Sequence, residues 1–204
     1  MAGKYFAWNN HNLLCAVDCE TSGLEAGFHD ITQVCVVPIG SDFRPLDSIK
    51  PFYLNLVPKR PENFDPATAS ITRQQLADCI NRGVDPYKAA DYFDEWFIKL
   101  TLGYEKRILP LAHNWPFDRG FLIDWLGQKS VEQYFDTRYR DTMCAAQLVN
   151  DRLGYSGRPI AHHKVSLRAL ATHYGLVHER AHDALGDCLT TIALWRELVL
   201  RNEV

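Results

Sequence analysis

Leu13-Leu-Cys-Ala-Val-Asp18-Cys-Glu20-Thr21-Ser-Gly-Leu24 puts five apolar residues ahead of two acids and a Ser-Gly turn. The apolar run reads as a buried strand over residues 13–19. In a strand, residues i and i+2 point to the same face. Asp18 and Glu20 therefore project together from the strand's end. Carboxylates this close repel each other unless a proton or a cation sits between them. Oxygen-rich carboxylate sites suit Mg²⁺ and Mn²⁺. The ordinary alternative is a solvated strand end running into the Ser22-Gly23 turn.

Two further stretches carry acids in telling places. Ala112-His113-Asn114-Trp115-Pro116-Phe117-Asp118 follows a stretch that reads as a buried strand, residues 108–112, and opens a helix over residues 117–126. Pro116 suits a first helical position. Asp118 falls in the first turn, where the backbone dipole favours a negative charge, and that is also its plain structural explanation. The third stretch is Arg180-Ala-His182-Asp183-Ala-Leu-Gly-Asp187. Five helical residues turn by roughly 140°, so His182 and Asp187 cannot share a helix face. The spacing places His182 on the loop entering a helix over residues 184–200 and Asp187 one turn inside it. Leu185, Leu189 and Ile192 form one apolar stripe of that helix. Ala184, Cys188, Trp195 and Leu198 form another, so the helix reads as buried. A carboxylate there needs a partner, either a metal or an arginine or backbone group.

Around these stretches the chain alternates element types. Residues 31–39 and 52–57 read as strands, the second strand cut short by Pro38 and Gly40, and residues 58–66 as a loop. Residues 71–80, opened by a Ser70 cap, and residues 87–102, 142–153 and 165–174 carry helical patterns. Strands first, then strands and helices mixed, predict an α/β domain built on one sheet, residues 1–204 forming a single domain.

Composition excludes several classes. No apolar run is long enough to span a bilayer and no secretory h-region opens the chain, so a cytoplasmic protein with no membrane partner is expected. Six cysteines lack CxxC pairing, which fits buried thiols in a reducing setting better than a zinc site or disulfide framework. A net charge of −3 opposes tight non-specific binding to long duplexes, though cations in an acidic pocket would reverse the local sign. No G-x-G-x-x-G follows the first strand, against a dinucleotide-binding enzyme. Arg152, Arg158, Lys164 and Arg168 lie in a stretch, residues 152–168, that contains no acid. Lys164 and Arg168 are thus candidates for tracking a phosphate backbone, the alternative being a solvated loop.

DxExxGL, HNxxFDxxFL and HxAxxD, in this order, resemble the signatures of the DEDDh group of DnaQ-like 3′–5′ exonucleases, which includes proofreading subunits, ribonuclease T and oligoribonuclease. The match runs from Asp18 to Asp187. The stretch from Asp141-Thr-Met to Val165-Ser-Leu-Arg-Ala-Leu also resembles the family's sequence before its third signature. The resemblance implies a ribonuclease H-like fold, a central mixed five-stranded sheet flanked by helices. It implies two divalent ions, Mg²⁺ or Mn²⁺: Asp18, Glu20 and Asp187 on the ion that activates water, Asp18 and Asp118 on the ion near the leaving oxygen. His182 would take the proton from the attacking water, histidine being the side chain that ordinarily titrates near neutrality. Thr21 and Leu24 would touch the terminal nucleotide, with Asn114 a further substrate contact. The product would be a nucleoside 5′-monophosphate from a single-stranded DNA or RNA 3′ end. A homodimer or a polymerase complex is compatible with the resemblance.

One departure bears on substrate choice. Trp115-Pro116 is bulkier than the family's small residues at that place, and Trp115 could narrow or stack in the groove. A catalytically inactive scaffold of the same fold is the competing reading, and an endonuclease with the same acids is another. All five catalytic positions hold the expected residue types, which opposes the scaffold.

Overall fold

A computed structural model describes residues 7–8, 12–68, 75–103, 105–178 and 182–200. The strands are β1 (Ala7–Trp8), β2 (Asn12–Thr21), β3 (Ile31–Pro38), β4 (Phe52–Asn55), β5 (Arg107–Ala112) and β6 (Arg140–Asp141). The helices are α1 (Leu76–Arg82), α2 (Pro86–Thr101), α3 (Trp115–Leu126), α4 (Gln128–Tyr134), α5 (Thr142–Tyr155), α6 (Leu167–His173) and α7 (Ala184–Leu200). The main sheet runs β4-β3-β2-β5-β6, with the two-residue β1 added to β2. β2 pairs antiparallel with β3 and parallel with β5, and β5 pairs parallel with β6. This is the mixed five-stranded sheet flanked by helices that the motifs imply.

The central strand β2 is buried on both faces, so its residues divide by parity between two cores. Leu13, Cys15, Val17 and Cys19 face a layer that includes Phe93, Phe97, Phe121 and Leu122 of α2 and α3. Leu14 and Ala16 face Cys35, Val37, Leu111 and the Ala184, Cys188 and Ile192 row of α7. Asp18 and Glu20 continue that even-numbered row, which places them on the α7 side at the carboxyl end of the strand. Crevices beyond the carboxyl ends of strands are where α/β sheets bind ligands.

α7 is buried as expected, but its stripes divide differently. Ala184, Cys188 and Ile192 meet the sheet, Leu194 and Leu198 pack toward α5 and α6, and Leu189 is exposed. Trp115 overturns its expected role: it is 2% exposed and packs against Phe135, so it cannot stack on a substrate base. It opens α3, one residue ahead of Pro116, because Asn114 takes a left-handed conformation that turns the chain from β5 into the helix. Pro38 does not cut β3 short; it pairs with Cys15 as the strand's last residue. The expected helix over residues 71–80 is described only from residue 75 onward, and the Ser70 cap lies outside the described residues. Neither α4 nor β6 was expected. Five of the six cysteines are buried and Cys144 is exposed; all are free thiols. Among the described residues no helix is long and apolar enough to cross a membrane.

Phe93 is the hub of the α2 side. It is fully buried and its ring meets those of Phe52, Trp96, Phe97, Trp125, Tyr134 and Phe135. Phe93→Ala is expected to destabilise the fold by about 3–5 kcal/mol, read as a shifted midpoint in denaturant unfolding.

Candidate active site

β5 pairs with β2 only as far as Ala16 opposite Leu111. Beyond that point the β5-side edge of β2 has no strand partner, and its backbone polar groups need another one. α3 supplies it. The Cys19 backbone N–H donates to Asp118 Oδ1 at 2.9 Å. Asp118, 3% exposed, thereby sits beside the strand segment that carries Asp18 and Glu20. Its helix is held by Asp141 at the end of β6, whose Oδ2 accepts from the Trp115 N–H at 2.8 Å. Asp141 also caps α5 through the Met143 and Cys144 N–H groups.

The third motif reaches the same place from the opposite layer. His182 precedes α7 with φ of 63°, a left-handed conformation that a residue with a Cβ rarely adopts. It is on the entering turn and Asp187 is in the first helical turn, as the spacing predicts. Glu20, His182 and Asp187 each offer a ligand atom, all within 4.8 Å of one another. Asp187 has a partner that sequence reasoning missed. His178 Nε2 lies 2.7 Å from its Oδ1. His178 sits nine residues before Asp187, outside every recognised motif; the only sequence signal was one more histidine ahead of His182.

The electrostatics follow from crowding acids out of water. Burial raises the Asp18 carboxyl well above its ordinary range, and the negative charges of Asp118, Asp187 and Glu20 raise it further. Glu20 is pushed up to about 8, mainly by burial and then by Asp187 and Asp183. Burial also raises Asp118, against the opposing hydrogen bond from Cys19, and raises Asp187, against the opposing contact with His178. Four carboxyls that resist ionising near one another fit a hard divalent cation, which supplies the missing positive charge.

The other expected contacts divide. Leu24 is 79% exposed on the loop that leaves β2. That loop is clamped at its far end by Arg60, which reaches Asp30 at 2.6 Å and also contacts Asp124 and the Gly27 and His29 carbonyls. Gly23 lets the His29 ring pack close, since a Cβ there would lie 2.1 Å from that ring and force it to move. Thr21 is buried and its hydroxyl donates to the Gly23 carbonyl at 2.6 Å, so its side chain serves the turn. Asn114 caps α3 without a side-chain hydrogen bond to the helix. Lys164 and Arg168 are exposed. His113 bonds the Thr142 hydroxyl at 2.9 Å and the Val165 backbone, which ties the Lys164 segment to the second motif.

Comparison with known proteins agrees with this architecture. A family model described as RNase_T, exonuclease, matches residues 15–195. E. coli exonuclease I in complex with a dT13 oligonucleotide is similar, with 18% identity and a TM-score of 0.66 over 92% of this chain and 41% of that chain. The zinc-ion-bound form of the E. coli ExoI–ssDNA complex gives 18% identity and 0.69 over 94% and 41%. An ExoI/SSB-Ct complex gives 17% and 0.67 over 94% and 42%. The chain thus spans about two fifths of the length of these structures, and at such identity the likeness is one of fold. No curated protein sequence matches the chain.

The raised carboxyls have a stability consequence. Burial, with Asp187 and Asp183, pushes the Glu20 carboxyl up from its ordinary 4.5 to about 8 in the fold. A raised folded value gives stability that is fully present below the unfolded value and is lost as pH rises through the folded one. The metal-free protein should therefore melt at a lower temperature at pH 8 than at pH 5, and added Mn²⁺ should raise the melting temperature more at pH 8. Differential scanning fluorimetry with and without a chelator checks both.

Proposed function

Because the chain belongs to the RNase T-type exonuclease family, within the ribonuclease H-like superfamily, we propose that it is a metal-dependent 3′–5′ exonuclease of the DEDDh type. It releases nucleoside 5′-monophosphates from single-stranded DNA or RNA ends. The observation that carries this reading is the meeting of Asp18, Glu20, Asp118 and Asp187 at one strand end, with His182 beside Glu20 and Asp187. Solved relatives of the same fold that hold single-stranded dT13 and dA16 oligonucleotides support the substrate class.

The four acids would hold two divalent cations, Mg²⁺ or Mn²⁺. When bound, such ions supply Lewis acidity toward water and neutralise charge on the scissile phosphate. The chain's own residues do the rest. His182 accepts the proton of the attacking water, and the neighbouring Asp187 and Glu20 stabilise the imidazolium that forms. Leu24, projecting from its clamped loop, wedges against the terminal nucleotide. Asn114, whose side chain is not used for capping, contacts the substrate from the mouth of α3. Lys164 and Arg168 follow the phosphates upstream. Thr21 contributes by holding the turn that aims Leu24.

Asp18→Ala should abolish release of mononucleotides from 5′-labelled oligomers while the protein stays folded by circular dichroism; retained activity would overturn the site assignment. His182→Ala should slow turnover on the order of a hundredfold or more. A circular single strand should survive, since cleavage of a circle would make the enzyme an endonuclease. Replacing Lys164 and Arg168 together by Gln should flatten the salt dependence of oligonucleotide binding. An unchanged slope would remove that edge from the substrate path.

A further inference from the structure

The turn that carries His182 is held by a hydrogen-bonded set of side chains from the sheet. Gln33 on β3 lies opposite Glu20 in the β2–β3 register, so its amide emerges on the same face as that carboxyl. Gln33 is 5% exposed, and a buried amide must find partners. Its Oε1 accepts from the Ala184 backbone N–H at 2.6 Å. Its Nε2 donates to the Tyr53 hydroxyl at 3.0 Å and to Asn55 Oδ1 at 2.7 Å, both on β4. The Tyr53 hydroxyl in turn donates to Asp183 Oδ2 at 2.8 Å. The other oxygen of Asp183 accepts from the Gly186 N–H at 3.0 Å, capping α7.

Two N–H groups of the helix's first turn, which no helical carbonyl can satisfy, are thus taken up by Gln33 and Asp183. Asp183 is the residue after His182. Its side chain is held to β4 and the next residue's N–H to β3, directly after His182, which takes a left-handed conformation. Asp187 is anchored separately, by His178 and by a helix that packs through Cys188 and Ile192.

We infer that Gln33, Tyr53 and Asp183 are positioning residues that fix the His182 imidazole against Glu20 and Asp187, coupling the placement of the proton acceptor to the strand register that places Glu20. The inference rests on the exonuclease reading for its effect on turnover, but not for its effect on geometry. Small misplacements of a reacting group cost large factors in rate.

The test is a set of double-mutant cycles with His182→Ala, scored by kcat and KM separately and accompanied by histidine NMR. Asp183→Ala should lower kcat by roughly ten- to a hundredfold with little change in KM. Asp183→Asn, whose one amide oxygen can still accept from the Gly186 N–H but whose NH2 cannot accept from the Tyr53 hydroxyl, should recover only part of the loss. Tyr53→Phe, which deletes one hydroxyl and keeps the packing, should lower kcat in the same direction and carries the test if Asp183→Ala does not fold. In the His182→Ala background neither substitution should cost anything further. Equal losses in both backgrounds, or a loss confined to KM, would overturn the inference. In ¹⁵N-histidine spectra the His182 ring signal, identified by its disappearance in His182→Ala, should move in Asp183→Ala and Tyr53→Phe and move less in Asp183→Asn than in Asp183→Ala. An unmoved signal overturns the positioning role whether or not the protein is active. A wild-type protein that releases no nucleotide while this signal moves would instead defeat the exonuclease reading and leave the positioning role standing.

Discussion

The crowding of buried carboxyls at the end of β2 is the constraint around which the structure is arranged. Asp18 and Glu20 share a strand face by period-two geometry, Asp118 leans in to serve an unpaired strand N–H, and Asp187 arrives on a helix packed across the same sheet. Burial makes all four resist ionising, and neighbouring charges add to this for Asp18, Glu20 and Asp118. A fold whose purpose was stability alone would replace them with apolar residues. Their presence at the carboxyl end of a central strand is intelligible when a doubly charged cation completes the site.

The scaffold fixes each acid by a different device, which is why the site is built on rigid elements. The register of β2 against β3 and β5 sets Asp18 and Glu20. The left-handed Asn114 and the Asp141 bond to Trp115 set the entry of α3, and with it Asp118. The Ala184, Cys188 and Ile192 row sets the depth of α7, and the Gln33–Tyr53–Asp183 contacts set where it begins. Residues bearing no resemblance to catalytic groups, such as Gln33, therefore belong to the same mechanical unit as Glu20.

Much of this was legible in the sequence wherever local period or punctuation encodes it. The 13–19 strand, the break before Ala184 and the placement of His182 outside the helix all follow from counting residues. What was hidden lies in contacts between distant segments. His178 on Asp187 and Gln33 on Ala184 are invisible to periodicity, because nothing local distinguishes them from solvated polar residues. The short β6 is defined by pairing with β5 rather than by its own composition. Trp115 was misread for a related reason. A bulky aromatic in a motif suggests a stacking surface, but the fold turns this ring inward onto Phe135. Thr21 likewise spends its hydroxyl on Gly23.

The most direct test of the central claim is Mn²⁺ titration of the metal-free protein by calorimetry, alongside Asp18→Asn. Asp18 is the acid that the other three carboxyls surround electrostatically. The account predicts that the wild-type chain binds about two ions per molecule at low salt and that Asp18→Asn, still folded, loses this binding. A wild-type chain that takes up no Mn²⁺, or a variant that binds it just as well, would contradict the account.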